Sequence, residues 1–421
     1  MSDLKQEIIE QTDAIEEKLI GWRRAIHQHP ELGNQEVRTS KLVADHLRSI
    51  GVDEVYEHLC GATGVMGLIR GAKPGPTVGI RCDMDCLPVK ETTGLPFASV
   101  DTMTWGDQGT VPVMHACGHD NHTAMLMAVA EVIQNLKSEL EGTVMLIFQP
   151  SEEGCSSEWQ GLSGARRYMQ EELYRKNKPD ILLGTHVNPY TPHGTAGVMG
   201  CCPGTIGYNM DIIKVTLHGV SCHGSRPWEG KDTILAAAQI LNAIQTICSR
   251  DTDANSDSVS VVFGAIKGGT KFNVLADTTV LDGALRFTNG AERELIEGRF
   301  RTIVEGVAAM NGCTADIRWT WYPALVNNPE LCRRMAPKLA EVMGDKFSDQ
   351  YAYTFQLLDD FSWFTDGDGQ GAVPGMFFGL SCTRDDEGPQ PKCHDADFAP
   401  NERALKYGVR AMVTAAMTYA K

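Results

Sequence analysis

Apolar residues recur at helical spacing over residues 4–26 (Ile8, Ile9, Ile15, Leu19, Ile20 and Ile26), and His29-Pro30 stops the run. The pattern predicts one amphipathic opening helix. Beyond it, short unbroken apolar runs alternate with helical stretches. VGIRC at 78–82, MLIF at 145–148, ILLG at 181–184 and GMFFGL at 375–380 read as buried strands, while residues 121–136 carry Ala124, Met125, Ala128, Val132 and Leu136 on one stripe. This alternation predicts an α/β sheet with helices on both faces.

Between residues 208 and 322 the order becomes strand, helix, strand, strand, helix, strand, which is the β-α-β-β-α-β order of a ferredoxin-like α+β sandwich. Its flanks, CCPGTIGYN and YPALVNNPE, hold the Gly, Pro and Asn expected of hinges. The chain therefore reads as a discontinuous larger domain, 1–207 with 323–421, carrying a smaller one inserted at 208–322.

Composition narrows the class. Of 421 residues, 42% are hydrophobic and 22% charged, which excludes a disordered or collagenous chain. No run of about 18 apolar residues occurs, so no membrane span is expected. With 54 acidic against 38 basic residues the net charge is -16, which repels polyphosphate and argues against a nucleic-acid partner. Thirteen cysteines, an odd count at irregular spacing, do not read as a secreted disulfide framework, and the charged start does not read as a secretory signal. A cytoplasmic location is the expectation.

The densest chemistry lies in MHACGHDNH at 114–122. Capping of the following helix by Asp120 or Asn121 is one reading. Cys117, His119 and Asp120 together, with Gly118 allowing close backbone approach, favour metal ligation, because thiolate and imidazole suit zinc-like ions. The run ending at Phe148 leads into Gln149-Pro150-Ser151-Glu152-Glu153-Gly154. Two adjacent carboxylates at a strand end diverge, so one can hold a metal while the other carries a proton, although an exposed acidic loop gives the same letters. His186 closes ILLGTHV, His394 lies in PKCHDADF, and Asp83 follows VGIRC, each at a strand end or loop where a structural role is equally open.

WRRAIHQHPELGNQE, IRCDMDCLPVKE, MHACGHDNHTAM, FQPSEEG, GTHV, SCHGSRP and PKCHDADF, in this order along nearly the whole chain, resemble the dinuclear metal amidohydrolases that include hippurate hydrolases, N-acetyl-amino-acid deacylases and plant auxin-conjugate hydrolases. The resemblance implies a mixed-sheet, metallopeptidase-like catalytic domain and an inserted lid through which chains form a homodimer or higher homo-oligomer. It implies Cys117, His119, Glu153, His186 and His394 as ligands of two divalent ions, zinc or manganese, with Glu152 as general base and Asp83 as the carboxylate that orients a ligand imidazole. Two four-coordinate ions offer eight positions; a bridging Cys117 and a bridging water fill four, and the other four ligands fill the rest. From the lid, the resemblance gives His223 the task of polarising the scissile carbonyl, commonly across a dimer interface, and Asn273 and Arg286 the grip on the substrate carboxylate.

The implied reaction is hydrolysis of a small N-acyl amino acid or peptide-like substrate to a carboxylate and a free amino acid. A dipeptidase or aminopeptidase on the same scaffold is the alternative, ahead of a Cys117 nucleophile with His119 as base and of a structural metal protein. The chain departs from the family at Cys82 and Cys86, where Ala is common, and at Trp228, where His often stands. The DDFSWF segment at 359–364 resembles the family's acidic-Phe loop, but GDGQGAVPG after it does not continue the pattern.

Overall fold

The computed structural model describes residues 2–154, 163–253, 258–350, 358–367, 371–384, 390 and 392–421. Pro391 of PKCHDADF and residues 368–370 of GDGQGAVPG lie outside them. The chain divides into two compact units, Met1–Ile206 with Val326–Lys421, and Gly207–Leu325. The inserted unit reaches slightly past the 208–322 read from sequence because Gly207 N–H donates to Leu325 O at 3.2 Å, which carries backbone pairing beyond the last strand.

The first unit is built on a mixed eight-stranded sheet in the order Glu54–Leu59, Gly64–Arg70, Glu141–Gln149, Lys73–Asp83, Ile181–Asn188, Gly375–Ser381, Met199–Gly200, Phe347–Ser348. The four runs read as buried strands form its centre. Lys73–Asp83, Glu141–Gln149, Ile181–Asn188 and Gly375–Ser381 pair in parallel, with Asp83 opposite Gln149 and His186 opposite Gly379. Parallel pairing brings their C-terminal ends to one rim, the usual place for ligands on such a sheet. The apolar runs are buried on both faces, which is why they are continuous rather than alternating.

Two local readings change. The opening helix is divided into Ser2–Ala14 and Glu16–His27, since Ile15 keeps a helical φ of -83° but opens ψ to -7°. The helix after the metal-like motif is His119–Asn135, starting two residues earlier than its apolar stripe suggests. Gly118 at φ 92° turns the chain into it, so His119 and Asp120 belong to its first turn rather than to a preceding loop. A Cβ at Gly118 would lie 2.4 Å from Val187 Cγ2, so only glycine lets the two segments approach.

The second unit is a four-stranded antiparallel sheet, Ser260–Gly268, Thr278–Phe287, Asn209–His218, Thr314–Tyr322 in that spatial order, with helices Thr233–Ala243 and Arg293–Met310. This is the ferredoxin-like arrangement that the element order predicts. Along Asn209–His218 burial alternates residue by residue, placing Ile213, Val215 and Leu217 against Ile240, Ile296, Phe300 and Val304. Each such side chain contributes about 1.5–3 kcal/mol on full burial. Among the described residues, no helix is long and apolar enough to cross a membrane.

Candidate metal centre

The imidazoles at the rim of the first unit can be read lone pair by lone pair. His119 Nδ1 lies 3.2 Å from Asp85 Oδ1. A carboxylate only accepts, so Nδ1 carries the proton and Nε2 the lone pair. That Nε2 is buried and has no hydrogen-bond partner among the described residues. His186 Nδ1 donates to Val187 O at 2.8 Å, which turns its Nε2 lone pair toward Cys117 Sγ at 3.4 Å. His122 is the opposite case: its Nε2 accepts Val187 N–H at 2.9 Å and its Nδ1 donates to Asp83 Oδ1 at 2.7 Å. Both its nitrogens are committed, so His122 supports the strand end and is no ligand.

His394 brings Nε2 to 3.3 Å from Cys117 Sγ and 3.1 Å from Glu153 Oε1. It sits in the left-handed region, φ 71°, and its backbone N–H donates to Ala116 O at 2.7 Å, which ties this loop to the motif loop. The five side chains expected to bind metal thus fall into two triads, Cys117/His119/His186 and Cys117/Glu153/His394, each with ligand atoms within 4.8 Å of one another. The thiol is common to both.

Asp85 does more than hold His119. Its Oδ1 and Oδ2 accept the backbone N–H groups of Glu152 and Glu153 at 3.0 and 2.9 Å. One carboxylate therefore sets a ligand imidazole and both acidic residues. This corrects the role expected of Asp83, which lies 3.8 Å from His119 Nδ1 and instead bonds His122 and Arg81.

Glu152 and Glu153 diverge as the strand end requires. Burial works against ionisation of Glu153, but the hydrogen bond from His394 and the nearby imidazoles overcome it and hold its carboxyl below the usual range. Burial, then the charges of Asp359, Glu153 and Asp360, push Glu152 well above it. Glu152 Oε1 accepts Asp360 N–H at 3.2 Å, and Oε2 lies 3.9 Å from His119 Nε2. Behind Glu152 stands a web that the sequence reading did not find. Arg81, fully buried, contacts Asp83 at 2.8 Å, Asp359 at 3.1 Å and Asp360 at 2.7 Å. Gln149 links Arg81 and Asp360 at 2.9 Å each. Burial pushes Asp360 up to about 7 despite Arg81.

These residues fit a pair of cations. Burial opposes a charge on His119, yet Asp83, Asp85 and Glu152 hold its imidazole well above the ordinary range, so the site favours positive charge at that place. The Cys117 thiol is held well above its usual value by hydrogen bonding with Cys393, by burial and by Glu153. A metal beside the sulfur stabilises the thiolate directly. The mixed set of thiolate, imidazole and carboxylate suits zinc-like ions.

A further layer comes from the WRRAIHQHPELGNQE segment. Arg23 Nε and His27 Nδ1 each lie 2.8 Å from Asp120 Oδ2, and Glu36 accepts Ser151 N–H at 2.9 Å. Ser151 sits at φ 55° immediately before the two glutamates, so Glu36 holds a strained corner of the site.

In the second unit, His223 pairs with Val274 across a β-bridge, and Gly224 N–H donates to Asn273 O at 2.8 Å. His223 and Asn273 are thereby neighbours on two tied loops. Arg286 is not. It lies near the far end of Thr278–Phe287, opposite Met210 and Ser260. From Thr278 to Arg286 the strand spans roughly 26 Å at about 3.3 Å per residue. Within one chain Asn273 and Arg286 therefore stand toward opposite ends of the sheet. Trp228 and Phe272, on the same loops as His223, are 74% and 97% exposed.

The model of peptidase family M20/M25/M40 matches residues 79–418. The chain is 34% identical over 421 residues to thermostable carboxypeptidase 2 of Saccharolobus solfataricus, covering 99% of each. It is 32% identical over 393 residues to the N-acetylcysteine deacetylase of Bacillus subtilis, covering 93% of this chain and 94% of that one. Among solved structures, a Bacillus subtilis dinuclear metal-binding peptidase of the M20 family matches with a TM-score of 0.76 at 28% identity, over 97% of this chain and 99% of the other.

Proposed function

This chain belongs to peptidase family M20/M25/M40 and is a metal-dependent amidohydrolase, and we propose that it cleaves the amide bond of N-acyl amino acids to a carboxylate and a free amino acid. The observation that carries this reading is the pair of triads sharing buried Cys117, with Glu152 alongside. In it, Cys117, His119, Glu153, His186 and His394 would hold two divalent ions, zinc or manganese. When bound, the ions polarise the scissile carbonyl and make water a better nucleophile near neutral pH.

Glu152 takes the proton from the attacking water at Oε2, since Oε1 is engaged by Asp360 N–H, and passes it to the leaving nitrogen. Its raised affinity for a proton suits that exchange. Asp85 keeps His119 and Glu152 in register. His223 donates to the carbonyl oxygen, while Arg286 and Asn273 act on substrate from different copies of the chain in a homodimer formed through the inserted unit. A cytoplasmic location is supported by the described cysteines, all free thiols.

The carboxypeptidase relative is compatible with the same chemistry. A C-terminal peptide bond is itself an amide between an acyl group and an amino acid with a free carboxylate. An aminopeptidase would instead need an uncommitted acid for the substrate amine, and Asp359 and Asp360 are engaged by Arg81. The test is a panel of N-acetyl, N-benzoyl and N-blocked peptidyl amino acids against free dipeptides, run after chelation and after restoring zinc or manganese. Turnover of the acylated substrates with metal only is expected; preference for free dipeptides, or full activity after exhaustive chelation, would sink the reading.

A further inference from the structure

We propose that Ser225 is a positioning residue that fixes the tautomer of His223 and so makes its Nε2–H a hydrogen-bond donor; this deepens the proposed function and rests on it for the role of His223. Ser225 places both its backbone N–H, at 3.1 Å, and its hydroxyl, at 2.8 Å, on His223 Nδ1. An amide N–H can only donate, so the Nδ1 it meets must present a lone pair. A neutral imidazole carries one proton, and with Nδ1 unprotonated that proton is on Nε2. The ring therefore shows its surroundings an N–H and not a lone pair. That is the polarity a carbonyl oxygen requires as charge builds on it, and the opposite of what a base or a metal ligand would present.

The turn around the ring is fixed as well. Arg226 N–H donates to His223 O at 2.7 Å, closing the turn over Ser225. Gly224 N–H donates to Asn273 O at 2.8 Å and Leu275 N–H to Cys222 O at 3.0 Å, so two loops brace the backbone on either side of His223. A Cβ at Gly224 would meet Asn273 O at 3.0 Å, and glycine there keeps the brace tight. The imidazole itself is exposed. Its orientation and proton position are thus set in advance by neighbours in sequence, where His119 and His122 of the first unit are set by Asp85 and Asp83, distant in sequence.

The tautomer can be read directly. In the zinc-loaded full-length protein with 15N-labelled histidine, the His223 signals, assigned by their loss in His223→Gln, are expected to be pyrrole-type at Nε2 and pyridine-type at Nδ1. Ser225→Ala removes the stronger of the two donors at an exposed position; a mixture of tautomers and a fall in kcat of about five-fold with KM unchanged are expected. Ser225→Thr keeps the hydroxyl and is expected to restore both. A wild-type proton on Nδ1, or Ser225→Ala indistinguishable from wild type in tautomer and kcat, overturns the proposal. A wild-type protein that turns over no N-acyl amino acid defeats the functional reading instead and leaves the nitrogen spectrum to decide the tautomer.

Discussion

The rim of the first unit and the loop pair of the second hold chemical groups in opposite ways. At the rim, His119, His122 and His186 are buried and each has at least one nitrogen committed to a carboxylate or backbone group. On the loop pair, His223 is exposed and braced by its own turn, and the arginine expected to work with Asn273 lies a strand length away. The first arrangement gathers its groups at one rim, while in the second they stand a strand length apart.

The largest effect should come from breaking the rim where it moves protons. Glu152→Gln keeps the size and the acceptor for Asp360 N–H but cannot exchange a proton; kcat should fall by about 10^3 to 10^4 while metal content stays that of wild type. Loss of metal together with activity would make Glu152 a ligand and erase the division between the two glutamates.

The loop pair is broken by complementation. His223→Ala and Arg286→Ala should each lower kcat/KM by about 10^2. If the two groups serve one substrate from different chains, unfolding and refolding the two variants together forms mixed dimers with one intact site, and about a quarter of wild-type activity returns. No recovery, with mixed dimers shown to form, would mean that the two groups serve the substrate from the same chain.

The same contrast explains what could be read from the letters. Residue types and strand ends brought Cys117, His119, Glu152, Glu153, His186 and His394 to one rim, because parallel strands with apolar runs must present their C-terminal ends together. The choice between Asp83 and Asp85 was not legible. Both follow the same strand, and only the lone-pair geometry shows that Asp83 serves His122 and Asp85 serves His119. Arg81 reads as an ordinary strand residue until three aspartates, two of them nearly 280 positions away, are seen around it. For Asn273 and Arg286 a motif gives residue identity, whereas their separation along an antiparallel strand is set by register.

A smaller effect sharpens the Asp83 and Asp85 distinction. Asp85→Asn should weaken metal binding by about 10- to 100-fold, measured by competition with a chelator, since the imidazole loses its orienting charge. Asp83→Asn should weaken it less, because its partner His122 does not touch the metal. Equal losses would mean that the rim is held by net charge and not by individual pairs.

The smallest effect concerns the inserted unit alone, where Asp211 is the buried charged side chain among the described residues. Burial pushes its carboxyl up to about 6, against Arg293 at 3.2 Å and the Trp319 Nε1–H bond at 3.0 Å. The unfolded chain gives up this proton near pH 4, the folded one near 6, so between those values the folded state binds more protons and stability falls as pH rises. The loss is complete above about pH 6 and amounts to about 2–3 kcal/mol at 1.36 kcal/mol per pKa unit. Asp211→Asn still accepts the Trp319 bond but does not titrate. The difference in stability between pH 4.5 and 7, from denaturant melts, should therefore be smaller in Asp211→Asn than in wild type; an equal or larger difference would show that Arg293 holds Asp211 ionised, and that the second unit tolerates buried charge as the rim of the first does.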